Sequence, residues 1–388
     1  MAAKRRPPVT AKDIQGLKYF RLFQPFLRRL HDAGTERDRA GNRKLFFDQY
    51  TALLLLYFFN PILTSLRGLQ QASALRKVQK RLGCERTSRG SLSEASYVFD
   101  AELLQGIIGE LADQALPLAT GKEAEALKGL TAADGSLLPA LPKMAWALWV
   151  DDEHRAAKLH LQFDVLKGVP LTATITTGNG SENDQLRAGL QPGRLYAIDR
   201  GYAEYQLFQD IVDARSSFIG RVRDNAVYQV IEERPVSAEA RQAGVVRDRL
   251  VWLGGDQSGK VLKQPLRLVE VATGKTDKNG RPAVLLLACD RLDLDAALIA
   301  LGYKYRWTIE LFFRWYKRIL GCQHLLSNCQ NGVAIQAYVA LIASLLISLW
   351  TGRKPTKRTF EMVCLFFSGW ASADELWAHL ETLEDERP

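Results

Sequence analysis

Four polar side chains recur in the stretch YKYRWTIELFFRWYK, at Tyr303, Arg306, Glu310 and Lys317. At about 100° per residue on a helical wheel they fall within roughly 60° of one another. Ile309, Phe313, Tyr316 and Leu320 point to an adjacent apolar sector, which lets the same helix dock on a core. One carboxylate beside two cations and a phenol can hold a metal ion next to a phosphate chain. Glu310 would sit on the metal, with Arg306 and Lys317 on phosphate oxygens. The pattern also suits a solvated amphipathic helix with i, i+4 charge pairs.

The spacing Tyr-x2-Arg-x3-Glu-x6-Lys resembles the signature of DDE transposases of the insertion-sequence-four family, and the four residues match it without a gap. The resemblance implies that Glu310 is the last acid of an Asp-Asp-Glu triad. Two aspartates must then lie upstream, each at the end of a strand.

The elements that would deliver them follow Gly129, where the pattern changes to period two and short apolar runs. Leu130–Ala133 is expected to be a strand ending in Asp134. Lys158–Leu166 alternates, and Pro170–Thr177 is β-branched. GNGSEND reads as a turn into a helix from about Ser181. Arg194–Ile198 is a further strand delivering Asp199, followed by an amphipathic run over Ala203–Ala214 and a strand over Ser217–Val222. A mixed sheet with acids at strand ends, closed by a helix bearing Glu310, is the plan of a ribonuclease-H-like α/β fold. IDRGYAEYQLF is similar to the family's second-aspartate motif.

Between Asp224 and about Arg291 lies a separate β-rich stretch, similar to the insertion these enzymes carry between the second Asp and the Glu. Asp293 or Asp295 is expected to cap the helix leading to Tyr303. Asp290, Asp293 and Asp295 read as capping and solubility groups, and Asp151-Asp152-Glu153 as a hairpin tip. Asn331–Trp350 reads as a core helix, and a helical tail follows. The expected domains are a helical DNA-binding region over 1–125, a ribonuclease-H-like catalytic domain over 126–350 interrupted by β-rich sequence at about 225–291, and a C-terminal helical tail over 351–388.

The 388 residues carry a net charge of +9, which favours a polyanionic partner. The first 100 residues hold 19 lysines and arginines against 8 acids, so the excess positive charge is N-terminal. There Phe47–Phe59 reads as an apolar helix stopped by Asn60-Pro61. Thr64 or Ser65 can cap a short helix, Ser73 can open the next through Leu82 to Gly83, and Ser91 or Ser93 can cap a third. Arg76, Lys77, Lys80 and Arg81 on such helices suit groove and phosphate contact, and equally a solvated basic face. Five scattered cysteines without a CxxC fit a reduced compartment rather than a zinc site. MAAKRRPP lacks the apolar run of a signal peptide. Leu53–Phe59 is too short to span a bilayer, and Ala334–Trp350 is interrupted by Gln336, Ser344 and Ser348, so no membrane role is expected.

The resemblance implies a cut-and-paste transposase. Asp134, Asp199 and Glu310 would hold two Mg²⁺ ions, with Mn²⁺ able to substitute. Tyr303, Arg306 and Lys317 would grip DNA phosphates, and Trp307 or Trp252 would stack on a flipped base. The partners would be transposon ends and target DNA, bound by a homodimer in the synaptic complex, in the bacterial cytoplasm at the nucleoid. The competing readings are a metal-dependent nuclease that does not join strands and a non-catalytic DNA-binding repressor.

Overall fold

The computed structural model describes residues 18–33, 43–140, 143–147, 155–255, 261–276, 280, 282–318, 321 and 324–382. The expected hairpin tip at Asp151-Asp152-Glu153, the basic N-terminus, Leu320 and the acidic end of the tail lie outside these residues.

Helices come first. They are α1 (Lys18–Asp32), α2 (Phe47–Phe58), α3 (Leu66–Ser73), α4 (Arg76–Leu82), α5 (Arg89–Val98), α6 (Glu102–Gln114) and α7 (Lys122–Ala126). Helix α2 is apolar after its first turn, and nine of its residues are buried, as such a pattern requires. Ser65 caps α3 by accepting the Gly68 N–H, as the sequence suggested. Two other caps differ. Ser88, not Ser91 or Ser93, accepts the Ser91 N–H at the start of α5. Ser73 ends α3 instead of opening α4; its hydroxyl receives the Thr87 N–H, tying the two ends of that loop together.

The strands are β1 (Leu130–Pro139), β2 (Ala156–Asp164), β3 (Val169–Thr177), β4 (Leu195–Ile198), β5 (Ser217–Arg221), β6 (Tyr228–Arg234), β7 (Val245–Leu253), β8 (Leu266–Thr276) and β9 (Pro282–Cys289). They form one sheet in the order β3-β2-β1-β4-β5-β9-β8-β7-β6. Only β1, β4 and β5 run parallel, and every other neighbouring pair is antiparallel. The strands expected to stand apart between Asp224 and Arg291 therefore continue the same sheet. β9 pairs with β5 through Ile219–Cys289, Gly220–Ala288 and Arg221–Leu287, because that edge would otherwise leave its backbone groups unpaired.

The remaining helices are α8 (Glu182–Ala188), α9 (Tyr205–Asp213), α10 (Ala238–Gln242), α11 (Ala296–Tyr305), α12 (Thr308–Arg318), α13 (Gln330–Thr351), α14 (Lys357–Ser368) and α15 (Ala373–Thr382). Ser181 caps α8 and Asp295 caps α11, as expected. The stretch from Tyr303 to Lys317 is not one helix. It breaks at Arg306-Trp307 into α11 and α12, and Arg306, Trp307, Ile309 and Glu310 all donate backbone bonds to the residue three before. Tyr303 thus lies in the last turn of one helix while Glu310 and Lys317 ride the next.

Two apolar clusters cover the two faces of the sheet. The first joins α1, α2, α5 and α6 to α11–α15 and includes Ala132, Leu195 and Ala197; the second, around α8 and α9, includes Ala133, Tyr196 and Ile198. At the centre of the first lies α13, buried from Gly332 to Thr351 and packed on α1, α2, α5, α6 and β3. It is the only described helix long and apolar enough to cross a membrane, and that window is buried inside the protein.

Candidate active site

The centre of the sheet fixes two aspartates by register. Leu130, Thr131 and Ala132 of β1 pair with Leu195, Tyr196 and Ala197 of β4. Counting on by two residues sets Asp134 beside Asp199. Because side chains alternate along a strand, Asp134 shares the face of Ala132, and Asp199, still extended at φ −85°, ψ −176°, shares that of Ala197. Both belong to the face covered by α11 and α12. Asp134 is not at the end of its strand, as the sequence suggested; β1 runs on to Pro139 against β2. What ends there is the parallel ladder to β4, so Asp134 still stands at an open edge. Asp199 is a true strand end and accepts the Gly201 N–H at 2.7 Å, closing a single 3₁₀ turn over Arg200–Tyr202.

Like charges shape this edge. Asp134 rises to a pKa of about 6 through burial, with Asp199 and Glu182 adding to the rise and the Gly135 N–H and Arg306 opposing it. The buried Tyr202 phenol is raised by burial and then by Glu182, Asp134 and Asp199. Three carboxylates therefore share one neighbourhood.

Cations come from the two helices above. Arg306 donates to Glu310 Oε1 at 2.9 Å, and its guanidinium lies 5.8 Å from the Tyr303 ring centre. Burial works against the Arg306 charge, but Glu310, Tyr303 and Asp199 outweigh it and raise its pKa. Tyr303 is raised by burial, opposed by Arg306 and Arg221 and reinforced by Asp199. Burial lowers the Lys317 amine, while Asp134 pulls the other way. These helices are well anchored. Gly302 lets α11 approach the sheet so closely that a Cβ there would lie 2.8 Å from Ile219 Cδ1. Phe312 of α12 packs on Phe163 of β2 at 4.9 Å, and the Tyr316 hydroxyl donates to Ala337 O of α13.

The structure thus gathers Asp134, Asp199, Tyr303, Arg306, Glu310 and Lys317 at one edge. Glu310 reaches it through Arg306, and among the described residues no three histidines, cysteines or acids are grouped closely enough to hold a metal ion. Trp307 is half exposed in the turn between α11 and α12. Trp252 is not near it: β7 lies five strands from β1, about 24 Å at the usual spacing. Arg76, Lys77, Lys80 and Arg81 are exposed on α4, in the N-terminal helices. Glu182, Lys158 and Tyr202 are the residues that spacing alone missed. The helix start at Ser181 was legible, but its reach toward Asp134 depends on how α8 folds back across β1 and β2.

Residues 125–346 match the transposase DDE domain family. The chain is 31% identical over 243 residues to a Sinorhizobium fredii chain named for a transposase, y4zB, covering 62% of this chain and 65% of that one. It is 25% identical over 237 residues to a Geobacillus stearothermophilus chain named for the transposase of insertion sequence element IS5377, covering 58% and 59%. The chain therefore spans less than two thirds of the length of each, 65% and 59%. A piggyBac transposase in a synaptic complex with hairpin DNA superposes with a TM-score of 0.45 at 10% identity, covering 98% of this chain and 85% of that one.

Proposed function

Because the chain belongs to the transposase DDE domain family, we propose that it is a DNA transposase. It cleaves DNA at the ends of its element and joins the freed 3′-hydroxyls to target DNA by Mg²⁺-dependent phosphoryl transfer, in a cut-and-paste reaction. The observation that carries this reading is the register of Asp134 and Asp199 on adjacent parallel strands, under a pair of helices that presents Arg306, Glu310 and Lys317 to the same edge. The catalytic unit is read as ribonuclease-H-like, with Tyr303, Arg306, Glu310 and Lys317 as an insertion-sequence-four signature.

The donor set fits a hard divalent cation. Asp134, Asp199 and Glu310 offer only oxygen, and burial, reinforced by the neighbouring Asp199 and Glu182 carboxylates, lifts the Asp134 pKa to about 6, a charge penalty that a cation relieves. Bound there, two such ions would lower the pKa of the attacking water or 3′-hydroxyl and stabilise the leaving oxygen. The chain's own residues do the rest. Asp134 and Asp199 each follow the Ala132–Ala197 pair by two residues, which brings both to one edge. Glu310 comes to them from α12 as Arg306 shifts its pairing from that carboxylate to a DNA phosphate. Lys317 supplies a second phosphate contact beside Asp134, and the Tyr303 hydroxyl donates to a third oxygen. Trp307, exposed at the helix break, can stack on an unpaired base. Arg76, Lys77, Lys80 and Arg81 contact backbone phosphates away from the chemistry, and two protomers bring two ends together.

A strand-transfer assay tests this reading. Purified protein, labelled DNA carrying the element's ends and a supercoiled target are incubated with Mg²⁺ or with EDTA. Transposition requires Mg²⁺-dependent nicks at the ends and then labelled target. Cleavage without joined product would make the chain a nuclease, and retarded but uncut DNA would make it a repressor.

A further inference from the structure

Glu182 reaches the paired aspartates from the other side of the sheet. It begins α8, whose Leu186 belongs to the second apolar cluster, with Ala133 and Ile198, whereas Asp134 and Asp199 face the first. A carboxylate on that side meets Asp134 only if nothing stands between them. What stands between is Gly135. A Cβ at that position would lie 2.6 Å from Glu182 Oε1 and 3.1 Å from Lys158 Cδ. The second opening is Gly201, where a Cβ would lie 3.0 Å from Asp199 Oδ1 and 3.9 Å from Glu182 Oε2. Those contacts put the Glu182 and Asp199 oxygens within about 7 Å of each other, a gap that a pair of metal ions bridges. Lys158 holds the carboxylate there, with Nζ 3.2 Å from Oε1 and also donating to Gly180 O.

A separate feature points to a ligand on the same wall. Asp134, Glu182 and His160 line a cavity of about 600 Å³. His160 is the cross-strand partner of Gly135 and is only 6% exposed. Its Nε2 meets Thr176 Oγ1 at 2.8 Å, and Thr176 spends its one hydroxyl proton on Thr177 O. Nδ1, the other ring nitrogen, is buried with no partner in the protein. A buried ring nitrogen left without a partner beside this cavity is a polar group that calls for a hydrogen-bond partner.

We propose that Glu182 is a fourth carboxylate of this site, joining Asp134 and Asp199 in holding a pair of divalent cations, and that position 135 is glycine to admit it. The inference rests on the metal-dependent reading above and deepens it. Acids from two faces of the sheet then flank the pair of cations, while Glu310 approaches from above.

The test is calorimetric titration of MnCl₂ into the full chain without DNA. Glu182→Gln keeps the shape and removes the charge, and should weaken Mn²⁺ binding about 10- to 100-fold. Glu182→Asp should recover part of the loss. Gly135→Ala keeps every charge but crowds Oε1, and should weaken binding in the same direction. Asp134→Asn is the control for the underlying reading. If Asp134→Asn loses Mn²⁺ while Glu182→Gln and Gly135→Ala bind like wild type, Glu182 is not part of the site. If Asp134→Asn also binds like wild type, the metal-dependent reading itself fails. Should Glu182→Gln not fold, Gly135→Ala decides the matter alone.

Discussion

Asp134 and Asp199 occupy equivalent positions on neighbouring parallel strands, each two residues past the Ala132–Ala197 pair. The ladder just before them sets their positions whether or not a cation is present, so the repulsion between them is built into the fold.

Burial of Asp134, with that repulsion added, has a measurable consequence. The folded state holds the Asp134 proton up to about pH 6, against about 4 in the unfolded chain. Between those values the folded protein binds more protons than the unfolded one, so this group's contribution to stability falls as pH rises, and the loss is complete above pH 6. Asp134→Asn should therefore stabilise the metal-free protein by about 1–3 kcal/mol at pH 7.5, and by less at pH 4.5. Melting curves at the two pH values check this, and a larger gain at pH 4.5 contradicts it. Added Mg²⁺ should raise the melting temperature of wild type but not of the variant.

The N-terminal helices share their core with α13. Asn331 Nδ2 donates to Ser96 O and Phe99 O, both at 2.7 Å, and its Oδ1 accepts the Ala101 N–H. Asn331→Ala should cost about 1–3 kcal/mol by leaving these groups unpaired. A fragment of residues 1–125 should fail to fold, because the side chains that α13 buries would face water. A sharp unfolding transition in that fragment would contradict this.

DNA contact by α4 is then best tested in the full chain. Changing Arg76, Lys77, Lys80 and Arg81 together to alanine should weaken DNA binding roughly equally for all sequences. The slope of log affinity against log salt should become shallower by up to about 3.6, since each phosphate no longer neutralised by the protein removes about 0.9. An unchanged slope would assign these residues to a solvated surface.

In the strands that extend the sheet, Arg267 and Asp248 form a buried ion pair, 2% and 3% exposed, and Arg267 also donates to Leu294 O just ahead of α11. Arg267→Ala should destabilise the protein by about 3–5 kcal/mol, since Asp248 is left charged and buried. Chemical denaturation measures this, and a change below about 1 kcal/mol would contradict it.

What was legible in the sequence follows from local rules. The alternation in KLHLQFDVL, the caps at Ser65, Ser181 and Asp295, and the apolar run of α13 each depend on a few neighbouring residues. The break of the Tyr303–Lys317 stretch into two helices at Arg306-Trp307 was not legible, because a single helical period runs through both halves. The pairing of β9 with β5 and the approach of Glu182 past Gly135 were not legible. Both join residues far apart in the chain, and no local pattern encodes them.

The most direct test of the central claim is Mg²⁺-dependent cleavage of element-end DNA by Glu310→Gln, measured beside a gel shift on the same DNA. The substitution keeps the shape of the side chain and a hydrogen bond to Arg306, but removes the charge offered to the metal. The account predicts near wild-type binding with cleavage lowered by at least about 100-fold, some 2.7 kcal/mol of transition-state stabilisation. Lys317→Ala should instead weaken binding and keep some nicking. Cleavage by Glu310→Gln at the wild-type rate would make α12 a structural helix and contradict the account.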